Sequence, residues 1–289
     1  PIIAAEQKAK RKKTSKVKQK NVVKKGDQEQ LPDANYIDSF FDTAAIKLPI
    51  VQTVVYSSRV PWLKGRAAWI SDYASHYKTS KHFIARSLNR KADYFTQNVR
   101  NGDRFNVLNP DKDFYFYLLI DLSRNRMWFY YVDKETDDRV LVKTYDVGLG
   151  RQDDVKASGF LTPLGKYSLG DKIAVYRPGV KGYYQNEAVE MIRVFGTRWI
   201  PFESEIEGCT APAQGFGLHG APWVTDASQN WIEDVNGIGD NSYTSDGCVR
   251  LRQQDMEELF AIIVSRPTVI ELVKDFYDAK LPGKEKLHE

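Results

Sequence analysis

Cys248 and His219 are the residues whose types could support nucleophilic catalysis. Cys248 lies in Thr244–Leu251 (TSDGCVRL), and His219 lies in Gly217–Trp223 (GLHGAPW). A thiol with an ordinary pKa of about 8.5 is mostly protonated at neutral pH, so it needs a partner such as an imidazole. Small flanking residues admit a substrate carbonyl, and the Gly247 and Cys248 N–H groups could face a developing oxyanion. The pattern indicates acyl transfer, but spacing alone leaves open an inert thiol and an ordinary surface histidine.

The remaining cysteine and histidines do not form a metal-binding pattern. Cys209 and Cys248 are too few for a disulfide framework and lack the CxxC spacing of a zinc site. The four histidines are too scattered to form a cluster by spacing: His76, His82, His219 and His288. We therefore predict no metal and no other cofactor. Cys209 is expected to be a buried structural thiol, with a regulatory disulfide to Cys248 as the alternative.

The elements that must position this chemistry are mostly strands. Apolar and aromatic runs predict strands at Phe114–Asp121, Met127–Val132, Val140–Val147, Gly165–Leu169, Val189–Phe195 and Thr268–Val273. One C-terminal helix is predicted between Asp255 as its cap, with Glu258 three residues on, and Pro267 as its stop. The sequence therefore predicts an antiparallel, mainly β domain with some helix.

The two motifs resemble the catalytic signature of the YkuD-type L,D-transpeptidases, a His-Gly segment followed by Ser-x-Gly-Cys-x-Arg. Thr162–Tyr167 (TPLGKY) is similar to the Thr-Pro-x-Gly-aromatic segment of the family, and it follows a Val-Gly-x-Gly turn at Val147–Gly150. The resemblance covers about residues 114–275. It implies a mixed α+β, mainly β catalytic domain of the sandwich or barrel kind, acting on the stem peptides of peptidoglycan.

The resemblance also implies roles for the motif residues. Cys248 would attack after the third residue of a tetrapeptide stem, and His219 would act as its base and later protonate the departing D-Ala amine. The acyl group would pass from a cysteine thioester to an amine acceptor. With water as the acceptor, the same site would be an L,D-carboxypeptidase. A non-catalytic wall-binding protein is the alternative from another class.

Around this pair, the resemblance assigns Asp246 and Gly247 to the oxyanion loop, and Arg250, Gly220, Ser245 and Trp223 to substrate binding. Arg250 could orient a substrate carboxylate or brace the loop. Two positions depart from the family pattern: Asp246 stands where many members carry a second His, and Gly220 where some carry a Ser that supports the catalytic ring. A main-chain carbonyl is therefore expected to support His219.

The segment from Gly220 to Gly247 is longer than in the compact members of the family. It carries three aromatic residues, Trp223, Trp231 and Tyr243. A longer aromatic loop is typical of a lid or of a wall against which the glycan or stem docks. The alternative is an ordinary surface loop that has no role in substrate binding.

The charge of the chain is concentrated at its N-terminus. Residues 1–25 hold ten Lys and Arg against one Glu, a net charge of +9, so the other 32 basic and 37 acidic residues leave −5. A mildly acidic body is not built to bind nucleic acid. We predict that residues 1–30 form a disordered basic tail, either solvated or in contact with anionic lipid or wall polymer.

The remaining chain is predicted to have three parts. Residues 31–113 form a partly helical accessory region with helices at Ile70–Tyr77 and Phe83–Phe95, residues 114–276 form the catalytic domain, and residues 277–289 form a tail. The chain starts at Pro1 and has no run of 18 apolar residues. We expect an extracytoplasmic protein, in the periplasm or cell wall, whose export segment is absent from this chain.

Overall fold

The computed structural model describes residues 31–90 and 98–287. The basic tail predicted for residues 1–30 lies outside these ranges, as does the C-terminal end of the helix predicted to reach Phe95. The chain divides into residues 1–32 and residues 33–289, and the second unit carries the elements below. In the described ranges, no helix has the length and apolar character that crossing a membrane requires.

The helices are α1 (Asp38–Phe41), α2 (Ile70–His76), α3 (Lys81–Asn89), α4 (Ile192–Phe195) and α5 (Gln253–Ile263), with 3₁₀ turns at Val235–Gly237 and Phe276–Asp278. The strands are β1 (Val51–Val55), β2 (Arg104–Leu108), β3 (Phe114–Asp121), β4 (Arg126–Asp133), β5 (Asp138–Asp146), β6 (Leu149–Gly150), β7 (Gly165–Leu169), β8 (Ala174–Val175), β9 (Lys181–Tyr184), β10 (Glu187–Glu190), β11 (Arg198–Glu207), β12 (Gly217–Gly220), β13 (Trp223–Thr225), β14 (Trp231–Glu233), β15 (Tyr243–Ser245), β16 (Val249–Leu251), β17 (Thr268–Val273) and β18 (Lys284–Glu285). The predicted mainly β, mixed α+β class is confirmed.

One large sheet organises the part of the chain that carries both motifs. Its strands run in the order β16, β12, β11, β7, β17, β3, β4, β5 and β18, and β8 also pairs with β11. The predicted hairpin is confirmed as β3 and β4, in antiparallel register from Phe114 opposite Asp133 to Asp121 opposite Arg126. The sheet is mixed rather than antiparallel, because β17 pairs with β3 and β16 with β12 in parallel. Long connections permit such parallel pairs, which a tight hairpin cannot make.

The main core lies where α5 packs against the sheet. Met256, Leu259, Phe260 and Ile263 on α5 are fully or almost fully buried and join Phe116, Phe129, Leu218 and Leu251 from the strands. Burying this apolar surface is the largest favourable contribution to folding. Strand β16, which follows Cys248, leads directly into α5, so the core also anchors the segment that carries this cysteine.

Two predicted details of this part of the chain are wrong. Arg252, not Asp255, occupies the N-cap of α5, because the helix begins three residues earlier than predicted and Asp255 accepts a hydrogen bond from Lys143 within the first turn. The strand predicted at Val189–Phe195 is instead the end of β10 followed by α4. A short apolar run cannot distinguish a strand from a single helical turn.

The N-terminal part of the described chain packs on the same core. Phe40, Phe41 and Phe83 belong to the main cluster, whereas Tyr56 and Phe105 belong to a smaller one beside it. The α3 helix ends at Asn89, followed by Arg90 in the left-handed conformation. At the other end, the segment predicted as a tail supplies β18, which pairs with β5. The domain boundaries stay predictions.

Candidate active site

The two predicted reacting residues lie on neighbouring strands. In the parallel pair β12–β16, Leu218 is opposite Val249 and His219 is opposite Arg250. Continuing that register by one residue sets Cys248 opposite Gly217. Side chains alternate along a strand, so Cys248, Arg250 and His219 share one face. Diagonal positions on paired strands are about 7–8 Å apart at Cα, a gap that an imidazole ring spans.

The turn before Cys248 leaves no room for a side chain at Gly247. Gly247 has φ of +119°, and an added Cβ would lie 2.5 Å from the Phe216 ring and 2.9 Å from the Leu161 carbonyl oxygen. The buried Ser245 hydroxyl donates to the Cys248 carbonyl at 2.7 Å and accepts the Gly247 N–H at 3.1 Å. The Gly247 N–H, which the sequence led us to expect facing an oxyanion, therefore donates to Ser245 within the turn. Ser245 braces that turn and does not face a substrate cleft.

The upstream Val-Gly-x-Gly and Thr-Pro motifs form the floor of this turn. Gly148 and Arg250 exchange two backbone hydrogen bonds of 2.9 and 2.8 Å, and the Gly150 N–H donates to the Thr162 hydroxyl at 2.7 Å. A Cβ at Gly148 would lie 1.8 Å from the Gly237 carbonyl oxygen. Both motifs are far from Cys248 in sequence, and folding places Gly148 against β16 and Gly150 beneath Gly247.

His219 is held in one tautomer by its neighbour. Its Nδ1 lies 2.7 Å from the carbonyl oxygen of Gly220. A carbonyl only accepts hydrogen bonds, so Nδ1 carries the proton and Nε2 keeps a free lone pair. The expected main-chain support for this ring is thus the Gly220 carbonyl. The residue is only 2% exposed, because the rings of Phe195 and Trp199 lie 5.3 and 6.0 Å from its own.

Burial governs the protonation of both reacting groups. The pKa of His219 is lowered to about 3, mainly by burial and then by the positive charge of Arg250, while the hydrogen bond to Gly220 acts in the opposite direction. The pKa of Cys248 is raised to about 11, mainly by burial, although the Gly217 N–H and Arg250 act to lower it. Both groups are therefore uncharged at neutral pH, and the site holds a neutral thiol and a neutral imidazole rather than a thiolate and an imidazolium.

Asp246 and Arg250 lie on either side of Cys248, Asp246 in the turn and Arg250 on β16. The Arg250 guanidinium donates to the Thr244 hydroxyl at 3.1 Å, a contact that braces the loop. Asp246, exposed beside the nucleophile, accepts hydrogen bonds from Arg151 at 2.6 Å and from the Tyr184 hydroxyl at 3.1 Å. An acceptor carboxylate cannot donate to an oxyanion, so Asp246 belongs to the rim of the site.

The long segment between His219 and Cys248 is folded, not irregular. Trp223 opens the β13–β14 hairpin and lines a cavity of about 400 Å³ together with Thr197 and Glu257. Trp231 lies under the Arg193 guanidinium at 5.1 Å. Tyr243 stacks on Phe160 and donates to the Leu122 carbonyl at 2.7 Å. All three aromatic residues therefore pack against the protein, and Trp223 faces this separate cavity.

Several residues of the site carry no sequence signal. Phe195, Trp199, Tyr184 and Arg151 lie far from the motifs in sequence, and only folding brings them to His219 or Asp246. Trp199 could be located only through the β11–β12 register, which sets it opposite His219. Cys209 is a free, half-buried thiol whose Sγ donates to the Lys166 carbonyl at 2.9 Å.

Comparison with known proteins gives one family. The L,D-transpeptidase catalytic domain (YkuD) matches residues 115–271. No curated protein matches. Among solved structures, the helical cell shape determining protein Pgp2 from Campylobacter jejuni aligns at 16% identity and a TM-score of 0.38, covering 60% of this chain and 51% of that one. Bd1075 from Bdellovibrio bacteriovorus aligns at 18% and 0.36, covering 55% and 48%. The chain thus spans about half the length of each.

Proposed function

Because the chain belongs to the L,D-transpeptidase catalytic domain family, we propose that it is a peptidoglycan L,D-transpeptidase with Cys248 as its nucleophile and His219 as its base. The observation that carries the proposal is the 2.7 Å contact of His219 Nδ1 with the Gly220 carbonyl. It leaves Nε2 unprotonated on the face that Cys248 shares. Peptidoglycan lies outside the cytoplasmic membrane, so we also propose an extracytoplasmic location.

The first half-reaction begins from neutral groups. His219 Nε2 takes the thiol proton as Cys248 Sγ bonds to the carbonyl carbon after the third stem residue. The Cys248 N–H is our candidate donor to the resulting oxyanion, since Ser245 occupies the Gly247 N–H. The carbon–nitrogen bond then breaks, His219 returns its proton to the D-Ala amine, and a thioester remains on Cys248.

The second half-reaction reverses these steps with a new partner. An acceptor amine attacks the thioester carbonyl while His219 Nε2 takes its proton. The carbon–sulfur bond breaks, and the proton passes to the Cys248 thiolate. The products are a new amide and the resting enzyme. Water in place of the amine would give a carboxylic acid, which is the carboxypeptidase outcome.

Mass spectrometry of the intact protein with purified tetrapeptide muropeptides tests this proposal. We expect an adduct on Cys248 that lacks D-Ala, and cross-linked dimers as products. Cys248→Ala should form neither, whereas Cys209→Ala, the matched control at the other thiol, should form both. Tripeptide monomers without dimers would indicate the carboxypeptidase instead. A folded, reduced protein that binds wall material but forms no adduct would contradict both and favour a wall-binding protein.

A further inference from the structure

The β9–β10 hairpin faces the nucleophile turn. Its strands pair from Tyr184 opposite Glu187 to Lys181 opposite Glu190. At the tip, the Tyr184 hydroxyl donates to Asp246 Oδ2 at 3.1 Å, and the Gln185 amide donates to the same oxygen at 3.4 Å. Asp246 is two residues before Cys248. The tip of the hairpin is therefore bonded to the turn that carries the nucleophile.

Asp246 also connects to a third segment. Its Oδ1 accepts from the Arg151 guanidinium at 2.6 Å, so donors from two separate parts of the chain converge on one carboxylate. The Asp246 and Arg151 side chains are 49% and 61% exposed. Exposed bonds of this kind are weak, because water replaces each partner at little cost. The hairpin is thus held in place by contacts that can open and close.

The turn of the hairpin is itself unfavourable. Gln185 and Asn186 both have positive φ, 50° and 67°. A two-residue turn of this type favours Asn and Gly, and a long side chain such as that of Gln185 adopts the left-handed conformation at a cost. The hydrogen bond from the Gln185 side-chain amide to Asp246 offsets this backbone strain when the hairpin is closed.

Tyr184 also reaches the base through one aromatic residue. Its ring lies edge-on to Phe195 at 5.6 Å, and Phe195 lies edge-on to His219 at 5.3 Å. Burial raises the pKa of Tyr184, and the neighbouring Asp246 and then Cys248 raise it further. Tyr184 therefore contacts both the turn that carries Cys248, through Asp246, and the ring that shields His219.

We propose that Tyr184 and Asp246 form a latch that closes the β9–β10 hairpin over Cys248 and, through Phe195, positions His219 in a dry environment. This inference extends the proposed function and rests on it, since the latch bears on catalysis only if Cys248 and His219 react as proposed. Tyr184 is a positioning residue, since it acts on His219 only through Phe195.

The other groups around His219 do not depend on the latch. Arg250, paired with His219 across β12 and β16, is the charged group that acts on it. Trp199 on β11 and the Gly220 carbonyl on β12 also contact the ring. Opening the hairpin therefore adds water beside His219 while these partners stay in place.

Tyr184→Phe in the full chain tests the latch, because it removes one hydroxyl and keeps the ring. Tyr183→Phe is the matched control, since Tyr183 is the adjacent residue and is 81% exposed. Two readouts need no substrate turnover. The first is the pKa of His219 from NMR of its imidazole, whose signal is assigned by its loss in His219→Asn. The second is the rate at which iodoacetamide labels Cys248, with the labelled residue located by peptide mass spectrometry. Asp246→Asn is a second variant that keeps the shape of the side chain and removes its charge.

We expect Tyr184→Phe to raise the pKa of His219 towards its ordinary value and to speed labelling of Cys248 about fivefold, the equivalent of one ordinary net hydrogen bond. Asp246→Asn should change both in the same direction, and Tyr183→Phe should change neither. If Tyr184→Phe leaves either readout at the Tyr183→Phe value, the latch is overturned. An unmodified protein that forms no thioester from tetrapeptide stems would remove the proposed function and leave these two measurements interpretable.

Discussion

The nucleophile turn and the hairpin that faces it are constructed in opposite ways. The turn around Cys248 is held by backbone bonds, a buried hydroxyl from Ser245 and a glycine with no room for a Cβ. The β9–β10 hairpin is held at its tip by half-exposed side chains that meet at Asp246. One region has a single permitted arrangement, and the other has contacts that water can replace.

This difference separates two tasks. Reacting atoms must be positioned to a fraction of an ångström, which main-chain hydrogen bonds and close packing achieve. A cover must open to admit a stem peptide, which weak exposed contacts allow. Substitutions in the turn should therefore have large effects, and substitutions at the hairpin tip should have small effects on stability.

The largest expected effect concerns the base. His219→Asn should lower kcat/KM for tetrapeptide stems by about 10²- to 10⁴-fold, the usual range for loss of a general base. The asparagine amide can still donate to the Gly220 carbonyl, so the strand pairing should persist. Steady-state kinetics with muropeptides measure the change. Activity within a few-fold of the unmodified protein would show that the turn positions the thiol for a different base.

Gly247→Ala should be the most destabilising single change in the nucleophile turn. The added Cβ meets the Phe216 ring and the Leu161 carbonyl while the backbone stays at positive φ. Overpacking and the left-handed backbone together predict a loss of about 2–4 kcal/mol in the free energy of unfolding. Urea denaturation measures it.

Gly239→Ala is the matched control, because Gly239 has φ of +97° and open space around it. It should cost about 1–2 kcal/mol, the backbone contribution alone. Equal losses for the two variants would show that the packing around Gly247 is not restrictive.

Two buried histidines, His219 and His82, predict how stability depends on pH. The pKa is lowered to about 3 in His219 and to about 4 in His82, in both mainly by burial. Both are depressed below the unfolded value of about 6.5, so the unfolded chain binds more protons as pH falls from there. The free energy of unfolding should fall below that pH, by up to about 1.4 kcal/mol per pH unit for each histidine.

Urea denaturation at a series of pH values checks this dependence. His219→Asn and His82→Asn should each make the decline less steep, since each removes one group that takes up a proton on unfolding. As the pH rises past neutral, the contribution of both histidines to the slope disappears. An unchanged slope in His219→Asn would mean that the His219 ring is hydrated in the folded protein. The contrast between a closely packed turn and a water-exposed hairpin tip would then fail.

The smallest expected effect lies one residue before Gly247. Asp246→Ala removes its exposed bonds to Arg151 and Tyr184, and such pairs contribute about 0–1 kcal/mol. Urea denaturation should therefore show a loss of no more than about 1 kcal/mol. A loss as large as that of Gly247→Ala would mean that hairpin and turn form one rigid unit.

Much of the fold could be predicted because its signals are local. The β3–β4 hairpin, β7 and β17 correspond to apolar runs broken by turn residues, and α5 to an apolar stripe at helical spacing. The errors occurred where a local signal is ambiguous. The run Val189–Phe195 is too short to distinguish strand from helix, and the start of α5 depended on which residue caps it.

The sequence by itself determined the chemistry of the site: a thiol and an imidazole, each in a motif of small residues that resembles a known family. Only the tertiary structure decided their protonation and surroundings. Burial is the main cause of the shifted pKa values of Cys248 and His219. The Gly220 carbonyl sets the tautomer of His219, and the Ser245 hydroxyl accepts the Gly247 N–H. These properties arise from contacts between segments distant along the chain, such as Tyr184 with Asp246, which residue types and spacing do not encode.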